Sequence, residues 1–272
     1  MITLIILLLF IYLWAIFPNL SRKNQLKPYE QKLIAHRGFF NNQDVPENSL
    51  LAFRKAVEND YGIELDVQIT TDKKLVVFHD VNLKRMTGID KKLTDCSFAE
   101  LQQYHLLDTA EKIPLFEDVL KVIHKDTPLV IEIKPEGPCI ETCHDTIEMM
   151  KGYDGLYNME SFNPFVVRYL KKNAPEIIRG QLAYDMFKDN DSDASLISKF
   201  LCKNLLFNFM TRPDYIAYEC NATYNLSFRI ISKIYKGECV AWTCKSEADL
   251  EKAKKYYRCF IFDSFIPKKK DL

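Results

Sequence analysis

The run GIELDVQITTDKKLVVFHD, residues 62–80, decides the reading of the fold. GIELDV (62–67) is an extended Val/Ile/Leu-rich segment. The residues after Val67 leave no room for a crossover helix before the next extended segment, so the chain must return as a hairpin. With Asp72 and Lys73 as the turn, Asp66 falls opposite His79 and both point to one face, where Glu64, two residues earlier, points as well. One local fold thereby gathers two carboxylates and an imidazole.

Outward from this hairpin, short apolar runs alternate with longer amphipathic ones, the pattern of a parallel α/β fold. The expected strands are LIAH (33–36), GIELDV (62–67), LVIEIK (129–134), GLYNMESF (155–162), IIRGQLAY (177–184), YIAYEC (215–220), CVAWTC (239–244) and CFIFDS (259–264). Eight of them predict a closed TIM (β/α)8 barrel over 32–272, with a small insertion after the second barrel strand at about 81–113. Between them lie helical stretches such as Ser49–Glu58, where Leu50, Phe53, Ala56 and Val57 share a face, and Ser246–Tyr256.

With 47% hydrophobic and 27% charged residues, one large domain is expected, and no linker or repeat divides it. The formal charge of zero provides no global attraction for nucleic acid or for an anionic surface, so any affinity for phosphate has to be local. The eight cysteines are scattered, and a core of this size does not depend on cross-links, so they read as reduced thiols. Cys139, Cys143 and His144 lack a fourth ligand at zinc-site spacing.

Residues 1–20 read as an uncleaved membrane anchor, with a basic juxtamembrane linker after it at 21–31. Ile2 to Phe17 is apolar except for Thr3, and as a helix it would span about 24 Å, a brief transmembrane segment. No basic start or A-x-A pattern marks a cleaved signal. Arg22, Lys23 and Lys27 come after the segment, which places the rest of the chain on the cytoplasmic side. The sequons at Asn221 and Asn225 would argue the opposite, but such triplets are frequent by chance.

Barrel enzymes carry their reactive groups at the C-terminal ends of strands. His36 and Arg37 end the first strand, Glu64 and Asp66 the second, His79 the hairpin's return, and Glu132 and Lys134 the third barrel strand. An unpaired charge among so many Ile, Val and Leu residues would cost several kcal/mol. A salt bridge could relieve each carboxylate singly; the three together beside two histidines fit a hard cation, Ca²⁺ or Mg²⁺. His36 and His79 can exchange protons near neutrality, whereas His105, His124 and His144 have no converging partners. Arg37 can bind phosphate oxygens bidentately. Lys134 either contacts the same phosphate or pairs with Glu132 or Glu136.

In order along the chain, HRG (36–38), PENS (46–49), ELD (64–66), VVFHD (76–80), IEIKPE (131–136), AWTC (241–244) and FIFDSF (260–265) form a pattern that resembles the glycerophosphodiester phosphodiesterase family from about residue 33 to 266. The resemblance implies a TIM barrel in which His36 and His79 are general acid and base, Glu64, Asp66 and Glu132 hold the divalent cation, and Arg37 and Lys134 face phosphate. It also implies that the insertion covers the site, and that Glu47 either supports the metal site or merely begins a helix. Trp242 is read as pocket lining or as core packing. Ser49 stands where the family often has Thr and keeps the capping hydroxyl. Lys245 replaces a frequent Asn, and Arg258–Cys259 replaces a Gly-rich turn, both of which bear on substrate preference.

The expected reaction yields glycerol 3-phosphate and an alcohol, with water or the adjacent glycerol hydroxyl as nucleophile. Lysophospholipase D-type cleavage of a lysophospholipid would use the same chemistry. A phospholipid-binding module without turnover is the rival from another class.

Overall fold

The computed structural model describes residues 1–30, 33–188 and 194–268. Among these described residues nine strands are present: β1 (Ile34–Ala35), β2 (Gly62–Ile69), β3 (Leu75–Val77), β4 (Leu129–Ile133), β5 (Tyr157–Ser161), β6 (Arg179–Ala183), β7 (Tyr215–Glu219), β8 (Glu238–Cys244) and β9 (Cys259–Phe262). All but β3 are parallel to their neighbours, and β1 pairs with both β9 and β2, which closes an eight-stranded barrel. The eight expected barrel strands are the eight observed.

Along β2, side chains alternate between two buried environments. Ile63, Leu65, Val67 and Ile69 pack in the outer core between sheet and helices, while Glu64, Asp66 and Gln68 lie on the other face, inside the barrel. Ile34, Val130, Leu182, Tyr215, Val240 and Ile261 fill the lower interior, and Leu26 and Tyr29 plug it from beneath. The helix Leu50–Glu58 starts where Ser49 Oγ accepts a hydrogen bond from Ala52 N at 3.1 Å, and it buries Ala52, Phe53 and Ala56 as its pattern requires.

The hairpin forms, but in a different register from the expected one. Val67 pairs with Val77 and Gln68 with Val76, so Phe78, not His79, lies opposite Asp66. Thr70 N donates to Lys74 O at 3.0 Å, and Lys73 takes a left-handed φ of 61°. The loop is therefore Thr71–Lys73, three residues with the last in the left-handed region, and one added residue moves every later side chain to the other face. His79 still reaches the carboxylates because the ladder stops at Val77. Gln68 Nε2 then donates to the carbonyls of Phe78 (2.8 Å), His79 (3.3 Å) and Asp80 (3.0 Å), which fixes the departing chain.

Between β3 and β4 the inserted segment builds its own small core from Phe78, Leu83, Met86, Leu93, Leu101 and Ile113. Arg85 ties this core to the barrel, since its Nη1 and Nη2 donate to Glu47 at 2.9 and 2.6 Å and its Nε to Asp80 at 2.7 Å. Glu47 also accepts from Arg37 and Asn42.

The N-terminal expectation needs correction. Among the described residues, no helix is long and apolar enough to cross a membrane. The helix Ile2–Ile16 has 15 residues, a rise of about 22 Å against roughly 30 Å of hydrocarbon, because it ends before Pro18. Its residues 2–11 are exposed on every side. Its C-terminal end docks on the chain just ahead of β7 and β8, where Asn208 Nδ2 donates to Ile16 O at 2.9 Å and Tyr235 Oη to Leu13 O at 3.1 Å. That is the barrel end opposite the strands' C-terminal tips.

Burial acts to raise the Glu47 carboxyl, but Arg85, Arg37 and Asn42 outweigh it and hold it at about 2, against an ordinary value of 4.5. A depressed carboxylate contributes stability that is fully present above the ordinary value and is lost as pH falls through the folded one. Urea unfolding should find Glu47→Gln less stable than wild type by roughly 2 kcal/mol near neutrality, allowing for the half-exposed Arg85. The two curves should converge as pH falls from about 4.5 to about 2. A gap independent of pH across that window would remove the ion pairs as the latch.

Candidate active site

The loop after β1 begins the site. His36 N donates to Phe262 O at 2.9 Å, which holds the β1 terminus against β9. Gly38 comes next but one at φ 81°, and a Cβ there would lie 2.9 Å from Ala52, so only glycine lets the chain turn over the helix Leu50–Glu58. The turn aims Arg37 inward. Its backbone N donates to Glu64 Oε2 at 3.0 Å, its Nη1 to Glu47 at 2.6 Å, and its Nε lies 3.5 Å from Asp66 Oδ2.

Glu64, Asp66 and Glu132 come together as expected: each offers an oxygen within 4.8 Å of the others, and all three are buried. Asn48 Nδ2 donates to Asp66 Oδ2 at 2.8 Å. Lys134 Nζ stands 3.0 Å from Glu132 Oε1 and 3.3 Å from Asp66 Oδ1. Neither of those two oxygens accepts a well-aligned hydrogen bond. Burial, then the Asp66 and Glu132 charges, pushes the Glu64 carboxyl far above its ordinary range. Burial likewise raises Glu132 against the pull of Lys134. At Asp66, Lys134, His79 and Arg37 overcome burial and hold the carboxyl well below the usual range. Buried, crowded oxygens short of donors are what a hard cation's ligands look like before the ion is added, and the set fits a divalent metal.

A fourth carboxylate is not apparent from the sequence. Asp66, Glu132 and Glu160 are register partners across β2, β4 and β5, and the row continues through Gly180 to Tyr215. Tyr215 Oη donates to Glu160 Oε2 at 2.8 Å. Its ring passes so close over Gly180 that a Cβ there would fall 2.2 Å from it. Burial pushes Glu160 up to about 8, so it is mostly protonated near neutrality. Its one sequence signal is its place in MESF, two residues from Asn158 on the interior face of β5.

Both histidines are held through Nδ1. His36 Nδ1 lies 2.7 Å from Asp263 Oδ2, and His79 Nδ1 lies 2.7 Å from Asp80 Oδ1. A carboxylate on Nδ1 fixes the ring and the tautomer and leaves Nε2 for other work. His36 Nε2 faces Glu64 at 3.9 Å. Burial, reinforced by Arg37, pushes His36 below its ordinary value despite Asp263. Sequence reasoning assigns neither aspartate a role, although each lies within a motif of the family pattern.

Lys134 is buried and paired with Glu132 and Asp66. Glu47 does not touch the acidic trio; it acts on Arg37 and Arg85 and precedes the Ser49 cap. Trp242 packs edge-on against Phe162 and Tyr184, with ring centroids 5.3 and 6.0 Å away, at the strand tips of β5, β6 and β8. His144 lies outside the site, with Nδ1 3.2 Å from Tyr169 Oη. All eight cysteines are unpaired. Among the described residues, the three acids are the sole group of His, Cys, Asp and Glu side chains placed to hold an ion.

The model of the glycerophosphoryl diester phosphodiesterase family matches residues 36–257. A glycerophosphodiester phosphodiesterase of Caldanaerobacter subterraneus is 36% identical over 166 residues, which are 55% of this chain and 65% of that protein. A human lysophospholipase D is 34% identical over 131 residues, 43% of this chain and 41% of its own length. The alignments thus span less than two thirds of either relative. Among solved structures, an Oleispira antarctica phosphodiesterase in complex with sn-glycerol 3-phosphate superposes with a TM-score of 0.67 at 24% identity, covering 86% of this chain and 93% of that one. The match of the family model across the strands that carry both histidines and all three acids establishes that this chain belongs to the glycerophosphoryl diester phosphodiesterase family.

Proposed function

We propose that the chain hydrolyses glycerophosphodiesters to glycerol 3-phosphate and an alcohol, with Glu64, Asp66 and Glu132 holding Ca²⁺ or Mg²⁺ and with His36 and His79 as the acid–base pair. The observation that carries this reading is two imidazoles, each fixed at Nδ1 by a carboxylate, set beside three buried acids of which Asp66 Oδ1 and Glu132 Oε1 accept no hydrogen bond. When bound, the cation supplies Lewis acidity to a phosphoryl oxygen and neutralises the acids around it. Arg37 and Lys134 add positive charge on the same side. One histidine takes the proton of the attacking oxygen, water or the neighbouring glycerol hydroxyl, and the other returns one to the leaving alcohol. Trp242, with Phe162 and Tyr184, borders the place of the alcohol group.

The same site could cleave a lysophospholipid, a reading favoured by the likeness to a human lysophospholipase D and by the exposed apolar helix. We favour the soluble diester because that helix leaves the barrel end opposite the strand tips. Residues 2–11 rise about 15 Å, the depth of one leaflet, so this helix enters a membrane without crossing it. We place the catalytic domain on the cytoplasmic side, a reading supported by eight free thiols. Turnover of glycerophosphocholine against lysophosphatidylcholine by the full chain separates the two substrates.

Two outcomes test the chemistry. His36→Ala and His79→Ala should each lower hydrolysis by about 10²–10⁴-fold with the far-UV spectrum unchanged, and chelation should abolish wild-type activity until a divalent cation is restored. Unchanged rates in both histidine variants would leave a binding module without turnover. Asp263→Asn and Asp80→Asn should each reduce kcat on the order of 10²-fold with little change in KM, since ring orientation and tautomer are lost while phosphate contacts remain. A change in KM alone would instead make these aspartates part of the binding surface.

A further inference from the structure

The N-terminal helix leaves the barrel beside a surface that the candidate active site does not use. Arg168, Lys171 and Lys172, on the helix Pro164–Asn173, line one open groove with Phe209 and Met210 of the helix Asn208–Thr211. Lys171 Nζ donates to Met210 O at 3.1 Å, and Arg168 Nη1 lies 3.7 Å from Met210 Sδ. At spacings of three and four the cations share a helix face, where like charges repel.

Elsewhere this protein relieves such lysines with acids three residues away, as in Lys121–Asp118, Lys151–Glu148 and Lys254–Glu251. Here, among the described residues, none of the three pairs with a carboxylate. Burial lowers the Lys171 pKa, and the positive charges of Arg179, Arg212, Arg168 and Lys172 lower it further. A solvated helix face has no reason to concentrate uncompensated charge in this way.

The groove runs into the root of the apolar helix. Phe209 packs on Trp14 with centroids 6.0 Å apart, and Arg212 lies over the Trp14 ring at 4.8 Å while donating to the Trp14 and Phe17 carbonyls. From the helix tip inward, the order is apolar residues, then aromatic rings, then cations. A leaflet presents hydrocarbon, interface and phosphate in that same order.

We propose that Arg168, Lys171 and Lys172, floored by Phe209 and Met210, bind the phosphate of an anionic phospholipid headgroup at the root of the N-terminal helix. This rests on reading that helix as inserted in one leaflet. The site lies away from the strand tips, so it sets how the enzyme sits on a membrane and leaves turnover of a soluble diester unchanged.

The test is flotation of the full chain with vesicles of phosphatidylcholine alone or mixed with phosphatidylglycerol. Wild type should prefer the mixed vesicles by about 100-fold, near 5-fold per cation. Arg168→Gln/Lys171→Gln/Lys172→Gln should bind both kinds alike and hydrolyse glycerophosphocholine at the wild-type rate. Lys121→Gln/Lys151→Gln/Lys254→Gln, which removes the same charge elsewhere, should keep the preference. Retention of the preference by the first variant, its equal loss in the second, or release of mixed vesicles by inorganic phosphate at constant ionic strength would each overturn the site. Failure of wild type to bind either vesicle would overturn the leaflet reading and the site with it, and equal binding to both would overturn the site alone.

Discussion

Four carboxylates share the interior of one closed barrel, and the arrangement around them is a consequence of the cost of that crowding. Buried like charges a few ångströms apart cannot all ionise. The structure divides the burden unequally: Asp66 stays charged between Lys134, Arg37 and Asn48, while Glu64, Glu132 and Glu160 are driven upward. Glu160, which accepts a hydrogen bond from Tyr215 Oη, can remain in the row as a neutral acid. Glu64 and Glu132 have no such outlet, and that makes a bound cation the natural completion of the set.

Closure of the sheet makes this possible. Asp66, Glu132 and Glu160 sit in one row because β2, β4 and β5 are parallel and in register, so every second residue of each strand must point into the same small volume. The insertion after β3 adds control from above: Arg85 binds Glu47, Glu47 binds Arg37, and Arg37 reaches the acids. A change at Arg85 or Glu47 is thereby felt at the acidic trio, which neither side chain touches.

Much of this is legible in the sequence. Eight apolar runs at strand spacing, with acids and imidazoles at their C-terminal ends, suffice for the barrel, the acidic trio and the histidine pair. The hairpin register is not legible, because nothing in TTDKK marks Lys73 as a left-handed residue where glycine or asparagine is usual. Gln68, Asp80 and Asp263 escape for a related reason. Each acts by holding another group in place, and such work depends on where a loop departs from its strand, not on residue type. Glu160 is hidden within a strand that reads as ordinary core, and the N-terminal run reads as spanning unless Pro18, which ends its helix, is weighed.

The barrel also separates its tasks by end. Strand tips carry carboxylates that need positive partners, whereas the opposite end gathers Arg22, Lys23, Arg168, Lys171, Lys172 and Arg212 around the root of an apolar helix. With a formal charge of zero over the whole chain, neither concentration could be inferred from composition. Their placement at opposite ends of the barrel keeps these basic groups from pairing with the buried acids on the strands' C-terminal side.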